Sequence, residues 1–230
     1  MDTIAKENTR DADLKIITPP LAMTLPYRKE ETGYYSLIKR AFDMVVSVFL
    51  ILTVMSWLYP LLFLLINMSS RGGTLFIQKR IGVRGKVFKC YKFRTMVINS
   101  EADHVEATLN DKRITKIGKW LRMTYIDELP QLVNVLVGDM SIVGPRPHML
   151  HHHRKFCTEI PSYNFRHQVK PGITGLSQIK GYHGSVFDYY RIYDRTRLDL
   201  FYVQKASFKL DLLILFRTVL ILFSFNKNIR

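Results

Sequence analysis

Hydrophobic and polar positions divide this chain into unlike stretches. Residues 1–33 are polar and mixed in charge, carry Pro19, Pro20 and Pro26, and read as a mobile arm with no cleavable signal peptide. From Met44 to Ile66 the chain runs 23 residues without a charge. Residues 74–93 hold two apolar-basic runs around Gly82-Val-Arg-Gly85, the pattern of a β-hairpin. Residues 100–124 read as helical with a mixed polar face. Leu129, Leu132, Val133 and Leu136 have helical spacing, and Gly138 fits the end of that helix. A further helix is expected within 145–165, after Pro147, while the four glycines of 171–184 predict an ordered loop. Leu212–Phe223 is again apolar. The fold class expected is α+β, mostly helical. The expected division is an arm at 1–33, a membrane helix at 34–70, a catalytic domain at 71–205 and a C-terminal interfacial helix at 206–230.

The first apolar run would be ~34 Å long as a straight helix, enough for a bilayer core. Two features favour a re-entrant helix over a spanning one. Pro60 lies inside the run and predicts a bend or break near Tyr59. Both flanks are basic, with Lys39 and Arg40 before and Arg71, Lys79, Arg80, Arg84 and Lys86 after, so both ends qualify for the cytoplasmic side. Ser47, Thr53 and Ser56 are available to satisfy backbone groups near the bend. A spanning helix and a buried core helix remain as alternatives. Leu212–Phe223 is too short to span and carries Arg217 at its centre. It fits an amphipathic helix lying in the interface, with Lys209, Arg217 and Lys227 at headgroup level, or a helix packed on the protein's own core.

Composition narrows the partners. Lys plus Arg number 34 against 19 Asp plus Glu, a net charge of +15 in 230 residues. An anionic partner follows: nucleic acid, a membrane surface or a phosphorylated small molecule. The seven basic residues between Lys79 and Arg94 carry no stacking-aromatic array, and no nucleic-acid-binding motif is present. Two cysteines, Cys90 and Cys157, exclude a disulfide framework. Asp11-Ala-Asp13 has the form of a metal-binding DxD but sits in the arm. His148, His151, His152 and His153 cannot all meet one ion from consecutive positions, and no acid or cysteine lies among them.

Candidate chemistry concentrates in IDELPQLVNVLVGDMSIVGPRP, residues 126–147. Pro130 suits the first position of a helix, which puts Asp127 and Glu128 at or before its N-terminus. Backbone N–H groups and the helix dipole favour anions there. Adjacent carboxylates point in different directions and can divide roles. Alone, such a pair is also an ordinary helix cap. Arg80, Arg94, Arg122 and Arg146 lie near turns or motif ends, and Pro145 and Pro147 stiffen Arg146 for bidentate phosphate binding or for a structural pairing with Asp139.

KRAFD (39–43), FIQKRIG (76–82), KFRTM (92–96), IGKWLR (117–122), the 126–147 stretch and KPGITGLSQIKG (170–181) resemble the bacterial sugar transferase family, the monotopic polyprenyl-phosphate phosphoglycosyl transferases. The resemblance covers about residues 35–223 and is closest to the branch that initiates exopolysaccharide and capsule units. It implies transfer of a sugar-1-phosphate from a UDP-sugar to undecaprenyl phosphate, with UMP released. Asp127 would be the nucleophile and Glu128 its dyad partner, the two also serving Mg²⁺. Arg80, Arg94, Arg122, Arg146, His148 and Asp199 would serve substrate or phosphate. The resemblance places the break of the re-entrant helix at Pro60 and the enzyme on the cytoplasmic face of the bacterial inner membrane. It leaves a homodimer open and expects no nucleic acid partner.

The chain departs from that family at Leu176, where an aromatic is usual, and at Tyr182 and His183, where an Arg is usual. Those departures bear on sugar or nucleotide preference. Two other readings compete: a basic membrane-bound binding module, and an inactive scaffold paralogue. The sugar itself is not legible in the sequence.

Overall fold

The computed structural model describes residues 33–99, 105, 107–108, 111–182 and 189–223. Asp11, Asp13, His183, Asp188 and Lys227 lie outside the described residues. The apolar run forms one continuous helix, α1, Tyr34–Ser69, 36 residues long. Of the bend or break expected near Tyr59, the break is not present: the chain stays helical through Pro60. The irregularity lies upstream, where Ile51–Met55 is π-helical. Proline lacks an N–H and crowds the carbonyl four residues before it, here that of Ser56. The widened turn ends at that residue, whose N–H reaches back five positions to the Ile51 carbonyl. Side chains bond carbonyls along the same stretch. Thr53 Oγ1 donates to Phe49 at 2.7 Å, Ser56 Oγ to Leu52 at 2.7 Å and Trp57 Nε1 to Thr53 at 2.9 Å. Thr53 and Ser56 act as expected, whereas the Ser47 hydroxyl is buried without a hydrogen-bond partner.

Strands β1 (Leu75–Ile81) and β2 (Val87–Phe93) form the expected hairpin, with Leu75 opposite Phe93 and Ile81 opposite Val87. Phe88 and Cys90 alternate into the core, and Lys92 follows them on the same face. Helix α2 covers Lys116–Met123; the described residues before it, 105, 107–108 and 111–115, are not helical, and the rest of the 100–110 stretch lies outside the described residues. The preceding residues are drawn into pairing instead. Val97 N–H donates to Arg113 at 2.9 Å and Thr115 N–H to Thr95 at 3.1 Å. Thr115 then caps α2, accepting from Gly118 N–H at 2.9 Å. Helix α3 (Gln131–Val137) ends at Gly138, φ 93°, as the spacing predicts. Its buried Asn134 serves as a neighbour for the edge of β2. Asn134 accepts from Tyr91 N–H at 3.0 Å and donates to Lys89 at 2.7 Å.

Residues 171–184 do not form only a loop. β4 (Gly172–Thr174) pairs in parallel with β3 (Ser141–Val143), Ser141 opposite Gly172. Three-residue strands are too short to show a period in sequence. The contact is glycine-dependent: a Cβ at Gly172 would lie 2.1 Å from the Gly144 nitrogen. Helix α4 (Leu150–Glu159) and a 3₁₀ turn over Tyr163–Gln168 separate β3 from β4 in the chain, and the short α5 (Leu176–Ile179), α6 (Tyr189–Lys205) and α7 (Phe208–Phe223) follow.

Both ends of α1 are tied to this body. Near its start, Arg40 donates to the Val135 and Leu136 carbonyls at 2.6 and 2.8 Å, and Asp43 accepts from Ile142 N–H at 3.0 Å. At its end, Arg94 donates to the Ser70 carbonyl at 2.8 Å. Buried Asp211 of α7 accepts from Tyr35 (2.9 Å), Lys39 (2.8 Å) and Tyr202 (2.7 Å), joining α1, α6 and α7 at one carboxylate. One main core runs from Leu58, Leu62 and Ile66 of α1 through Phe93 and Val135 to Ile214. The outward face of α1 stays apolar and exposed, with Phe49, Leu52, Trp57, Phe63 and Leu64 on it.

Candidate active site

The acid pair sits in a single 3₁₀ turn, Ile126–Glu128, directly before Pro130 and α3. The chain enters this turn through Tyr125, whose φ of 58° is left-handed. A bulky residue there is sparsely populated and persists only when its surroundings hold it. Glu128 N–H bonds the Tyr125 carbonyl at 3.1 Å and fixes the turn. Asp127 and Glu128 are both buried, each 5% exposed, at the wall of a cavity of about 1870 Å³. That is larger than the usual range of about 300–1,000 Å³ for one small ligand.

Ion pairs at the wall set the cavity's charge. Glu128 accepts from Lys92 Nζ at 2.8 Å and from Arg146 at 3.0 and 2.5 Å. Arg146 therefore forks onto Glu128, not Asp139. Burial opposes its charge, but Glu128 and then Asp127 more than offset this and raise its pKa. Burial lowers the Lys92 pKa from 10.5; Glu128 counteracts it, while Arg146 and Arg80 reinforce it. Arg80 donates to Gln78 Oε1 at 2.9 Å and to the Pro147 carbonyl at 2.6 Å, and Arg122 to Thr95 Oγ1 at 2.8 Å. Both line the cavity.

His148 lines it too, buried, with Nδ1 at 2.6 Å from the Tyr163 hydroxyl. Its pKa lies well below 6.5, first through burial and then through the charges of Arg166 and Arg195. Asp127, Glu128, Arg80, Arg122, Arg146 and His148 thus share one cavity.

Arg94 and Asp199 are placed differently. The Arg94 side chain borders the cavity, but its donors go to the Gly73, Arg71 and Ser70 carbonyls and to Ser70 Oγ, at 2.5 to 3.0 Å. It caps the end of α1. Asp199 is 1% exposed and accepts from Arg166 (3.1 and 2.5 Å) and Ser177 (2.8 Å). Arg166 in turn donates to the Arg146 carbonyl at 2.8 Å. Asp199 therefore steadies the site from behind.

Sequence reasoning did not single out Lys92, Arg191 or Arg195, which also line the cavity. Lys92 carried a usable signal: it stands two and four residues beyond buried Cys90 and Phe88, on the inward face of β2. Arg191 and Arg195 had no local signal; only α6 packing brings them here.

The cavity also has an apolar side. Leu215, Val219, Ile221 and Leu222 of α7, with Leu50 of α1, line it alongside the polar residues. One chamber thus joins a cation-walled acid pair to an apolar tract. Among the described residues no group of three His, Cys, Asp or Glu gathers as a metal cage.

A model of the family described as bacterial sugar transferase matches residues 34–225. The chain is 44% identical over 188 residues to a UDP-glucose:undecaprenyl-phosphate glucose-1-phosphate transferase of Klebsiella pneumoniae, covering 81% of this chain and 40% of the relative. It is 41% identical over 190 residues to a UDP-N-acetylgalactosamine-undecaprenyl-phosphate N-acetylgalactosaminephosphotransferase of Aeromonas hydrophila, covering 80% and 43%. It is 41% identical over 187 residues to the exopolysaccharide production protein PSS of Rhizobium leguminosarum bv. phaseoli, covering 79% and 93%. The chain spans about two fifths of the first two relatives and nearly all of the third. With so much of the chain matched, it belongs to the bacterial sugar transferase family.

Proposed function

We propose that this protein transfers a sugar-1-phosphate from a UDP-sugar to undecaprenyl phosphate. Relatives bearing names of that reaction support the substrate classes. The observation that carries the reading is the chamber itself: an acid pair walled by Lys92, Arg80, Arg122 and Arg146, opening onto the apolar α7 lining. A diphosphate fits the first part and a polyprenyl chain the second.

In the first step the Asp127 carboxylate attacks the β-phosphorus of the UDP-sugar. A P–O bond forms to Asp127, and the bond to the bridging oxygen breaks with its electron pair leaving on UMP. In the second, a phosphate oxygen of undecaprenyl phosphate attacks the same phosphorus and returns the Asp127 carboxylate. Carboxylate and diphosphate repel each other, so fixed cations must lower that cost. Glu128 holds Lys92 and Arg146 in place for this, and both its oxygens are already engaged. The Asp127 carboxylate is a hard oxygen donor and fits Mg²⁺, whose other ligands would be waters and phosphate oxygens, while Glu128 would reach the ion only by releasing Lys92 or Arg146. Bound there, Mg²⁺ would supply further charge neutralisation at the phosphates.

The membrane reading is a re-entrant, non-spanning α1 on the cytoplasmic face of the inner membrane. In its support, the two ends of α1 are hydrogen-bonded to one body while its outer face is apolar. The exposed apolar face of α7, with Lys209 and Arg217 exposed beside it, supports an interfacial seat. Cysteines placed near Lys39 and Arg71 should label from the same side of sealed vesicles; labelling from opposite sides excludes this topology. The reaction is tested by UMP release from a panel of UDP-sugars with undecaprenyl phosphate and Mg²⁺, and by trapping labelled phosphosugar on Asp127. Product formation with no adduct at Asp127 would reject the two-step scheme.

A further inference from the structure

We infer that His148 is a neutral hydrogen-bond donor whose Nε2–H addresses a phosphate oxygen of the nucleotide in the cavity, and that Tyr163 is the positioning residue that fixes this tautomer. The phosphate as ligand rests on the transferase reading above. The geometry begins with the ring. His148 is 5% exposed, and its Nε2 is buried with no hydrogen-bond partner although the residue lines the cavity. Leaving a buried polar atom unbonded is costly, so such an atom on a residue of the cavity lining points to a ligand.

Nδ1 lies 2.6 Å from the Tyr163 hydroxyl, and the ring's tautomer decides which of the two donates. A phosphate oxygen accepts and does not donate, so a ring that serves it carries its proton on Nε2. Nδ1 is then the bare nitrogen and takes the phenol's proton. The Arg166 guanidinium lies over the Tyr163 ring, 5.3 Å from its centroid, and is itself held by Asp199, which packs the phenol in one orientation. Burial and the charges of Arg166, Arg195 and Arg80 keep the ring uncharged. A neutral imidazole of this tautomer offers a donor and no lone pair toward the cavity. It therefore binds an anionic oxygen without acting as a base.

The test uses the full chain in detergent with ¹⁵N-labelled histidine, the His148 signals being assigned by their loss in His148→Gln. The wild type should show the Nε2-protonated tautomer, and its Nε2–H resonance should move on addition of UMP. Tyr163→Phe keeps the ring that packs with Phe156 and Ile160. It should mix the two tautomers and lower kcat/KM about 10-fold for UDP-sugar. His148→Ala should cost about 10- to 100-fold, the loss of one hydrogen bond to a charged group. His148→Gln, which restores an N–H at similar reach, should recover most of it. An Nδ1-protonated ring in the wild type overturns the inference, as does an Nε2–H unmoved by UMP in an enzyme that turns over. If the wild type releases no UMP from any UDP-sugar, the transferase reading fails. The UMP-induced shift alone then decides the role of His148, its absence rejecting it.

Discussion

Two arginine–carboxylate forks meet at Arg146. In one, Arg146 grips Glu128 at the cavity wall, with side chains 18% and 6% exposed. In the other, Arg166 grips Asp199 in the interior, with 1% exposed on each side. The bond lengths are alike, 2.5 Å at the shortest in both. The surroundings differ. The outer fork shares its carboxylate with Lys92 and faces the open chamber. The inner fork is sealed, shares its carboxylate with Ser177 and holds the Arg146 backbone. The same chemical pair thus faces the cavity in one place and rigidifies the framework in the other. Access to the cavity, not residue type, separates the roles.

Variants should separate the forks by what they damage. Asp127→Asn, beside the outer fork, should lower turnover by at least about 10⁴-fold, with Tm unchanged. A Tm collapse would mean the acid turn is structural. Asp199→Ala should do the reverse. Leaving Arg166 buried and unpaired costs about 3–5 kcal/mol, a fall in Tm of roughly 6–20 °C for a chain of this size. A folded, fully stable Asp199→Ala protein would dissolve the distinction.

Glu128→Gln should fall between them, with kcat down about 100-fold and a small change in Tm. It also carries a pH signature. Glu128 is what opposes the lowering of Lys92. Removing its charge drops the Lys92 pKa further, so the alkaline limb of activity should move to lower pH; an unmoved limb would detach Lys92 from catalysis.

The smallest effect concerns the inner side. Burial first, and then neighbouring Arg166, hold His148 and His167 well below 6.5. The unfolded chain takes up these protons and the folded one does not, so stability is full above 6.5 and lost as pH falls below it. Between pH 7 and pH 6 the two together should cost about 1.4 kcal/mol. His153, lowered to about 4 chiefly by burial, is also uncharged in the fold over this interval and adds about half as much again. A flat Tm across that interval would show that these rings are protonated in the native state.

How much could be read beforehand differs by element. The hairpin and α3 were legible because alternation and helical spacing are local, and Gly138 closes α3 where it stands in sequence. Helix α2 was overcalled, because Thr95 and Val97 claim the backbone of residues 113–115 that a local reading assigns to a helix. Pro60 was misread in form. Its steric demand is met upstream by a π turn and side-chain hydrogen bonds, which no proline rule locates.

The sequence by itself determined the apolar run with basic flanks, the acid pair before Pro130, and motifs dense enough to carry the family, since these depend on residue order alone. Only the tertiary structure decided which charges serve which end. Arg94 went to the end of α1, Asp199 to Arg166, and Lys92, Arg191 and Arg195 to the cavity. The reason is physical: a charged side chain takes its role from the partners and solvent access that distant segments provide. Those contacts form only when the chain closes on itself.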